Sequence, residues 1–141
     1  MRLCIQVKDL EAIATAAASA FPEECCGLLV GESEGDDLVV ARIVAAANVA
    51  NQPHRCFEVD PATLLKAYRC ARAEGQVVIG HYHSHPGGIA VPSAYDLARA
   101  FAEGEVWLIV PVDRTAVGTG AARAHLFTDG AFHEIEIAPG P

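Results

Sequence analysis

Apolar residues alternate at Leu3, Ile5 and Val7, the period-two signature of a strand with one buried face. The spacing then becomes helical. Leu10, Ile13, Ala14 and Ala17 fall on one face, which predicts a helix from an Asp9 N-cap to about Ala20, stopped by Pro22. Cys26 to Val30 reads as a short buried strand ending at Gly31, and the acidic run Glu32 to Asp37 reads as a turn. Leu38 to Ala47, rich in Val and Ile, is a further strand. The polar stretch Asn48 to His54 contains Pro53 and fits a surface loop, with a short strand at Phe57 to Val59 after it. Asp60-Pro61 combines an N-cap with proline at the first helical position, so a helix is expected to Ala73, ended by Gly75. Val77, Val78 and Ile79 predict a buried strand that carries His81, His83 and His85 outward. Ser93 opens a helix to about Ala102, and Val106 to Val112 is an apolar strand holding Trp107. Ala122 to Phe127 and Phe132 to Ile137 form a closing hairpin around Thr128-Asp129-Gly130. This order predicts an α/β (α+β) fold, a mixed sheet packed by helices.

Composition narrows the class. A chain of 141 residues, 52% hydrophobic and 20% charged, is expected to form one globular domain spanning residues 1–141. The formal net charge of −8 disfavours nucleic acid as a partner, because phosphate binding needs clustered Lys and Arg. No apolar run approaches the roughly 18 residues that cross a bilayer, so no membrane association is expected. Lys8, Asp9 and Glu11 come too early for a secretory signal. Five cysteines without C-x-x-C spacing then suggest reduced thiols, most of them small buried hydrophobes, in a cytoplasmic protein. The apolar terminal hairpin offers a surface on which a homodimer could form.

Chemistry concentrates in one stretch, His83-Ser84-His85-Pro86, followed by Ser93 and Asp96. Side chains two apart on an extended segment share a face, so His83 and His85 can converge on one ion while Ser84 points away. Asp96 would join them from the first turn of the next helix, with Gly87 and Gly88 giving the intervening loop its freedom. Three protein ligands leave a tetrahedral zinc ion one open position for water, the layout of a catalytic site. Ser93-Ala94-Tyr95-Asp96 also has the form of a capping box, which by itself needs no metal. A hydrolytic site further requires a general base. The motif contains no Glu and the chain no H-E-x-x-H, which leaves Glu23 or Glu24, ahead of the strand at Cys26, as the source.

His83-Ser84-His85, seven residues, then Ser93-x-x-Asp96 resembles the signature of the JAMM (MPN+) metallopeptidases. Pro22-Glu23-Glu24-Cys25-Cys26-Gly27-Leu28-Leu29 looks like the upstream P-x-E-x-x-G-L-L element of that family. The resemblance implies an MPN domain of cytidine-deaminase-like architecture, with His83, His85 and Asp96 as ligands of one Zn²⁺. It further implies Glu24 as general acid/base and Ser93 as the group that steadies the oxyanion. The implied reaction is hydrolysis of a peptide or isopeptide bond, at the C-terminal tail of a ubiquitin-like or sulfur-carrier protein for so compact a chain. His81 lies on the same strand face but is expected to stay outside the ligand set, since a fourth protein ligand would close the water position. His54, His125 and His133 have no motif partner.

Two other functions are open to test. A non-catalytic MPN-type interaction module would lack one or more ligand positions, and none is missing here. A nucleobase deaminase would carry H-x-E with P-C-x-x-C, and neither string occurs.

Overall fold

The first apolar alternation is split between two elements. In the computed structural model, which describes residues 1–114 and 118–141, strand β1 covers Arg2–Ile5 and helix α1 covers Val7–Ala20. Val7 is exposed and begins the helix, so its apparent place in the strand pattern is accidental. The N-cap is Gln6, whose side chain makes no capping hydrogen bond and donates instead to Pro141 O at 2.6 Å, and Asp9 sits inside the first turn. There a carboxylate favours the positive end of the helix dipole without capping it.

Strands β2 (Cys26–Glu34) and β3 (Asp37–Ala46) form a long antiparallel hairpin. Most of the acidic segment is strand rather than turn, because the chain reverses only at Gly35 and Asp36. Phe57 to Val59 forms no strand; Val59 makes a single bridge to Asn48. Helix α2 (Pro61–Ala73) starts as its sequence predicts, with the Asp60 carboxylate accepting from the Thr63 backbone N–H at 3.2 Å and its hydroxyl at 2.8 Å. Strand β4 (Val77–Pro86) leads to helix α3 (Ala94–Arg99), which stops short of Ala102. At its end Ala100 is already extended, and the Arg99 guanidinium is tied to the Phe57 carbonyl. Strands β5 (Glu105–Val112), β6 (Arg123–Thr128) and β7 (Ala131–Pro139) complete the chain. Asp129 and Gly130 both have positive φ, as a two-residue type I′ hairpin requires.

The strands close into a barrel in the order β1-β3-β2-β4-β5-β6-β7, with β7 pairing in parallel with β1. The sheet is mixed: β4 lies between antiparallel β2 and parallel β5. The terminal hairpin is therefore built into the barrel, with Glu136 to Pro139 of β7 paired to β1. Among the described residues no helix is long and apolar enough to cross a membrane.

One irregularity decides where the histidines point. Leu29 pairs with Gly80 and Val30 with Val78, so Ile79 is the extra residue of a β-bulge. A bulge reverses the inside–outside alternation beyond it. Ile79 and Tyr82 consequently pack with Ile13 and Ala17 of α1, Leu3, Leu29 and Leu108 in the main core. His81, His83 and His85 face the opposite side, where Cys26, Phe57 and Trp107 form a second cluster. Of the expected buried trio only Ile79 is buried; Val77 is exposed and Val78 half-buried, since β4 reaches solvent at its start.

Beside the bulge, Gly80 allows β4 and β5 to approach. A Cβ there would lie 1.9 Å from the Val106 carbonyl oxygen, a backbone atom held in the sheet. Gly80→Ala is expected to lower stability by about 1–3 kcal/mol, the usual cost of overpacking. Urea unfolding of the two proteins measures this; an unchanged midpoint refutes the clash.

Candidate metal centre

The end of β4 and the start of α3 bring three electron-rich atoms to one point. His83 Nε2 and His85 Nε2 are 3.0 Å apart, and Asp96 Oδ2 lies 3.4 Å and 3.1 Å from them. The strand period sets the two imidazoles on one face, and each helix contact of Asp96 is local. Ser93 and Asp96 form a complete capping box, in which Asp96 Oδ2 accepts from the Ser93 N–H at 2.8 Å and Ser93 Oγ accepts from the Asp96 N–H at 3.1 Å. The box fixes the carboxylate; it does not remove it from the site. Ser93 is exposed, and its hydroxyl hydrogen is not consumed by the cap.

The tautomer of His85 follows from its other nitrogen. Nδ1 donates to the Ile89 carbonyl at 2.8 Å, which leaves Nε2 with its lone pair toward His83 and Asp96 when the ring is neutral. With both Nε2 atoms unprotonated, two imidazole lone pairs and a carboxylate oxygen would repel one another at these separations. A proton can bridge only two of the three atoms, whereas a cation satisfies them all. The residues present fit a divalent metal ion on this ground.

Glu24 completes the constellation. A carboxylate oxygen of Glu24 and one ring nitrogen each of His83 and His85 all lie within 4.8 Å of one another, and Glu24 Oε1 is buried with no hydrogen-bond partner among the described residues. Three attachments hold its backbone. The Glu24 N–H donates to Pro53 O at 2.8 Å, and its carbonyl accepts from Asn48 Nδ2 at 2.9 Å. One residue on, the Cys25 N–H donates to Ser84 Oγ at 2.8 Å, so the serine between the histidines points away from them and clamps β2 to β4. Gly27 allows this strand to sit over Tyr82, whose ring would lie 2.2 Å from a Cβ at that position. Glu23 is exposed, which separates it from Glu24.

A family described as prokaryotic homologs of the JAB domain matches residues 6–124. The chain belongs to this family. It is 36% identical over 122 residues to a desampylase of Haloferax volcanii, covering 86% of this chain and 82% of that protein. It is 35% identical over 109 residues to a probable TtuB-protein conjugate cleaving protease of Thermus thermophilus, covering 77% of this chain and 65% of that one. Among solved structures, a protein of Desulfitobacterium hafniense superposes with a TM-score of 0.82 at 32% identity over 96% of this chain and 90% of that one. A JAB1/MPN domain protein from Archaeoglobus fulgidus shares the fold, with a TM-score of 0.57 at 23% identity over 98% and 99% of the two chains.

Within this JAB-domain fold the site is strongly polarised. Burial pushes His83 down to about 4, against the pull of Asp96, so it is neutral at physiological pH. Burial also opposes protonation of His85, but hydrogen bonds to Asp96 and Ile89 outweigh it and raise the ring above its ordinary value. For Asp96 burial acts upward, and hydrogen bonds from both histidines and the Ser93 N–H more than reverse it, keeping the carboxylate ionised. Glu24 is pushed up to about 7, first by burial and then by the Asp96 charge, with His85 and Arg99 acting the other way. The two carboxylates thus divide into one that stays anionic and one poised to exchange a proton near neutrality.

Sequence spacing missed the residues that support this site. Phe57, expected in a strand, stacks on His83 with centroids 4.3 Å apart, and the Arg99 guanidinium carbon lies over the Phe57 ring, 5.7 Å from its centroid. Asn48 is a hub: besides Glu24 O it reaches Cys56 O at 3.1 Å, and its Oδ1 accepts from the Glu58 N–H at 3.0 Å. An Asn at the head of a polar loop was the only signal. His81 pairs with Glu105 at 3.1 Å and packs on Trp107 at 4.2 Å, turned away from the Asp96 side of the site. Cys4 and Cys26 are buried, while Cys25, Cys56 and Cys70 are only half-buried; burial pushes the Cys26 thiol up to about 12, so it stays protonated.

A raised Glu24 has a thermodynamic consequence in the metal-free protein. Its folded form prefers the proton, so stability is lost as pH rises from the ordinary carboxylate range through about 7 and is flat above. Glu24→Gln removes that loss: metal-free variant and parent should melt alike near pH 4, and the variant should be more stable at pH 8 by on the order of 2 kcal/mol. Thermal melts across this range test the sign.

Proposed function

We propose that the chain is a zinc-dependent isopeptidase that cleaves the bond joining the C-terminal tail of a ubiquitin-like or sulfur-carrier protein to its conjugate. The observation that carries the reading is the convergence of His83 Nε2, His85 Nε2 and Asp96 Oδ2 at 3.0–3.4 Å, with the Glu24 carboxylate beside them. Zinc bonds of about 2.0–2.1 Å in tetrahedral geometry place neighbouring ligand atoms roughly 3.3 Å apart, close to this triangle. The desampylase and conjugate-cleaving names of the relatives supply the substrate class.

His83, His85 and Asp96 would hold the ion. When bound, it would supply Lewis acidity for the scissile carbonyl and for the attacking water. The chain's own groups do the rest. Glu24, poised near neutrality, takes a proton from the attacking water and delivers it to the departing amine. The Ser93 hydroxyl uses a lone pair for the cap and keeps its hydrogen for the developing oxyanion. Phe57 excludes water from one face of His83, and the buried Asp96 stays ionised through its backbone and imidazole donors. A non-catalytic module has no use for a carboxylate held partnerless at this point.

Cleavage of a ubiquitin-like or carrier-protein fusion tests the reading. Glu24→Gln should lower kcat by about 10²–10⁴-fold while zinc content stays near one ion per chain. Asp96→Ala should lose zinc as well as activity, read by metal analysis of the purified protein. Wild-type cleavage by the Gln variant, or a parent that takes up no zinc, overturns the assignment. Ser93→Ala should cost about 0.5–2 kcal/mol of stability through the cap and about 10²–10³ in kcat through the oxyanion. A stability loss with unchanged kcat would restrict Ser93 to capping.

A further inference from the structure

We propose that His125 is a positioning residue for the metal centre, acting through the loop that joins the two ligand-bearing elements. The inference rests on the isopeptidase reading for its functional consequence but on geometry alone for its structural content. Residues 87–92 connect β4, which carries His83 and His85, to the Ser93 cap that carries Asp96. The glycines of this segment suggest freedom, and Gly87 does have a positive φ, but the segment is pinned at each step. The Gly87 N–H donates to Val112 O at 2.7 Å, and the Gly88 N–H to His85 O at 3.2 Å. The next two carbonyls each accept from an imidazole: Ile89 O from His85 Nδ1 at 2.8 Å, and Ala90 O from His125 Nε2 at 2.8 Å.

The second of these contacts is buried. His125 is 3% exposed and Ala90 5%, so water cannot replace the donor if it is lost. His125 lies on β6 opposite Trp107 and so faces the site side of the sheet. Because Ala90 O only accepts, the proton of His125 resides on Nε2. Adjacent peptide units are rigid planes joined at one Cα, so holding Ala90 O restricts where Ile89 O can go. Ile89 O in turn selects the His85 tautomer that leaves Nε2 free for the ion. The barrel strand β6, which supplies no ligand, thereby orients a ligand on β4 and sets the approach of α3. No sequence motif marks this residue.

The test compares His125→Phe, which keeps ring volume without the donor, with His125→Gln, whose amide N–H takes the place of Nε2–H. Long-range ¹H–¹⁵N spectra of the metal-free proteins report the His85 tautomer, and competition with a chromophoric chelator reports zinc affinity. At a pH high enough to keep the ring neutral, the parent and the Gln variant should show His85 protonated at Nδ1. The Phe variant should show a mixture of tautomers and a zinc affinity roughly tenfold weaker, the low end of losses seen when outer hydrogen bonds to metal-ligating His are removed. At saturating zinc its kcat should recover toward the parent value with KM unchanged. A Phe variant with an unaltered His85 tautomer and unaltered zinc affinity overturns the proposal, as does a Gln variant no better than Phe. Should the Phe variant fail to fold, His125→Asn, too short to reach Ala90, replaces it in the same comparison. A parent that binds no zinc would sink the isopeptidase reading, while the metal-free spectra would still decide whether His125 controls His85.

Discussion

The crowding of three atoms that can each present a lone pair is the constraint on which this structure turns. Two imidazole nitrogens and a carboxylate oxygen are held within 3.4 Å of one another. Such a cluster carries a cost unless positive charge sits among its members, because lone pairs in a poorly solvated pocket have no water to turn toward. The rest of the fold is arranged to keep them there. The Ile79 bulge aims the histidines away from the α1 core, the Ser93 box fixes the carboxylate, and Phe57 covers His83. The cap keeps Asp96 Oδ2 an acceptor, and the Ile89 O contact leaves His85 Nε2 with a lone pair whenever the ring is neutral.

The same burial produces opposite effects on the two carboxylates. Asp96 has His83, His85 and the Ser93 N–H in its favour and remains anionic despite burial. Glu24 has one oxygen without any partner, and burial dominates it. Environment separates residues of nearly equal intrinsic acidity, leaving one anionic and the other near its proton-exchange point at a common pH. Supporting contacts come from distant parts of the chain, with Asn48 and Ser84 holding the backbone of Glu24 and Cys25 from two different strand ends.

Much of the site was legible in sequence because its geometry is local. His83 and His85 share a face through the two-residue strand period, and Ser93 and Asp96 meet through the three-residue spacing of a helical first turn. The Asp60-Pro61 start of α2 and the Asp129-Gly130 turn were legible for the same reason, since each depends on backbone preferences of adjacent residues. Errors gathered where one element gives way to another. Val7 continued a strand pattern by coincidence, and Phe57 to Val59 alternated without a neighbouring strand to pair with.

Sequence alone determined which residue types could bind a cation and which of them lie close along the chain, because those relations follow from the periods of strand and helix. The choice between Glu23 and Glu24 came only by resemblance, and tertiary structure supplied its physical basis: one is exposed, the other buried beside the histidines. Tertiary structure alone decided that the terminal hairpin closes a barrel onto β1, that Phe57 stacks on His83, and that His125 reaches the loop beneath His85. These contacts join residues more than twenty positions apart. Their existence depends on how strands are ordered around the barrel, and no local preference encodes that order.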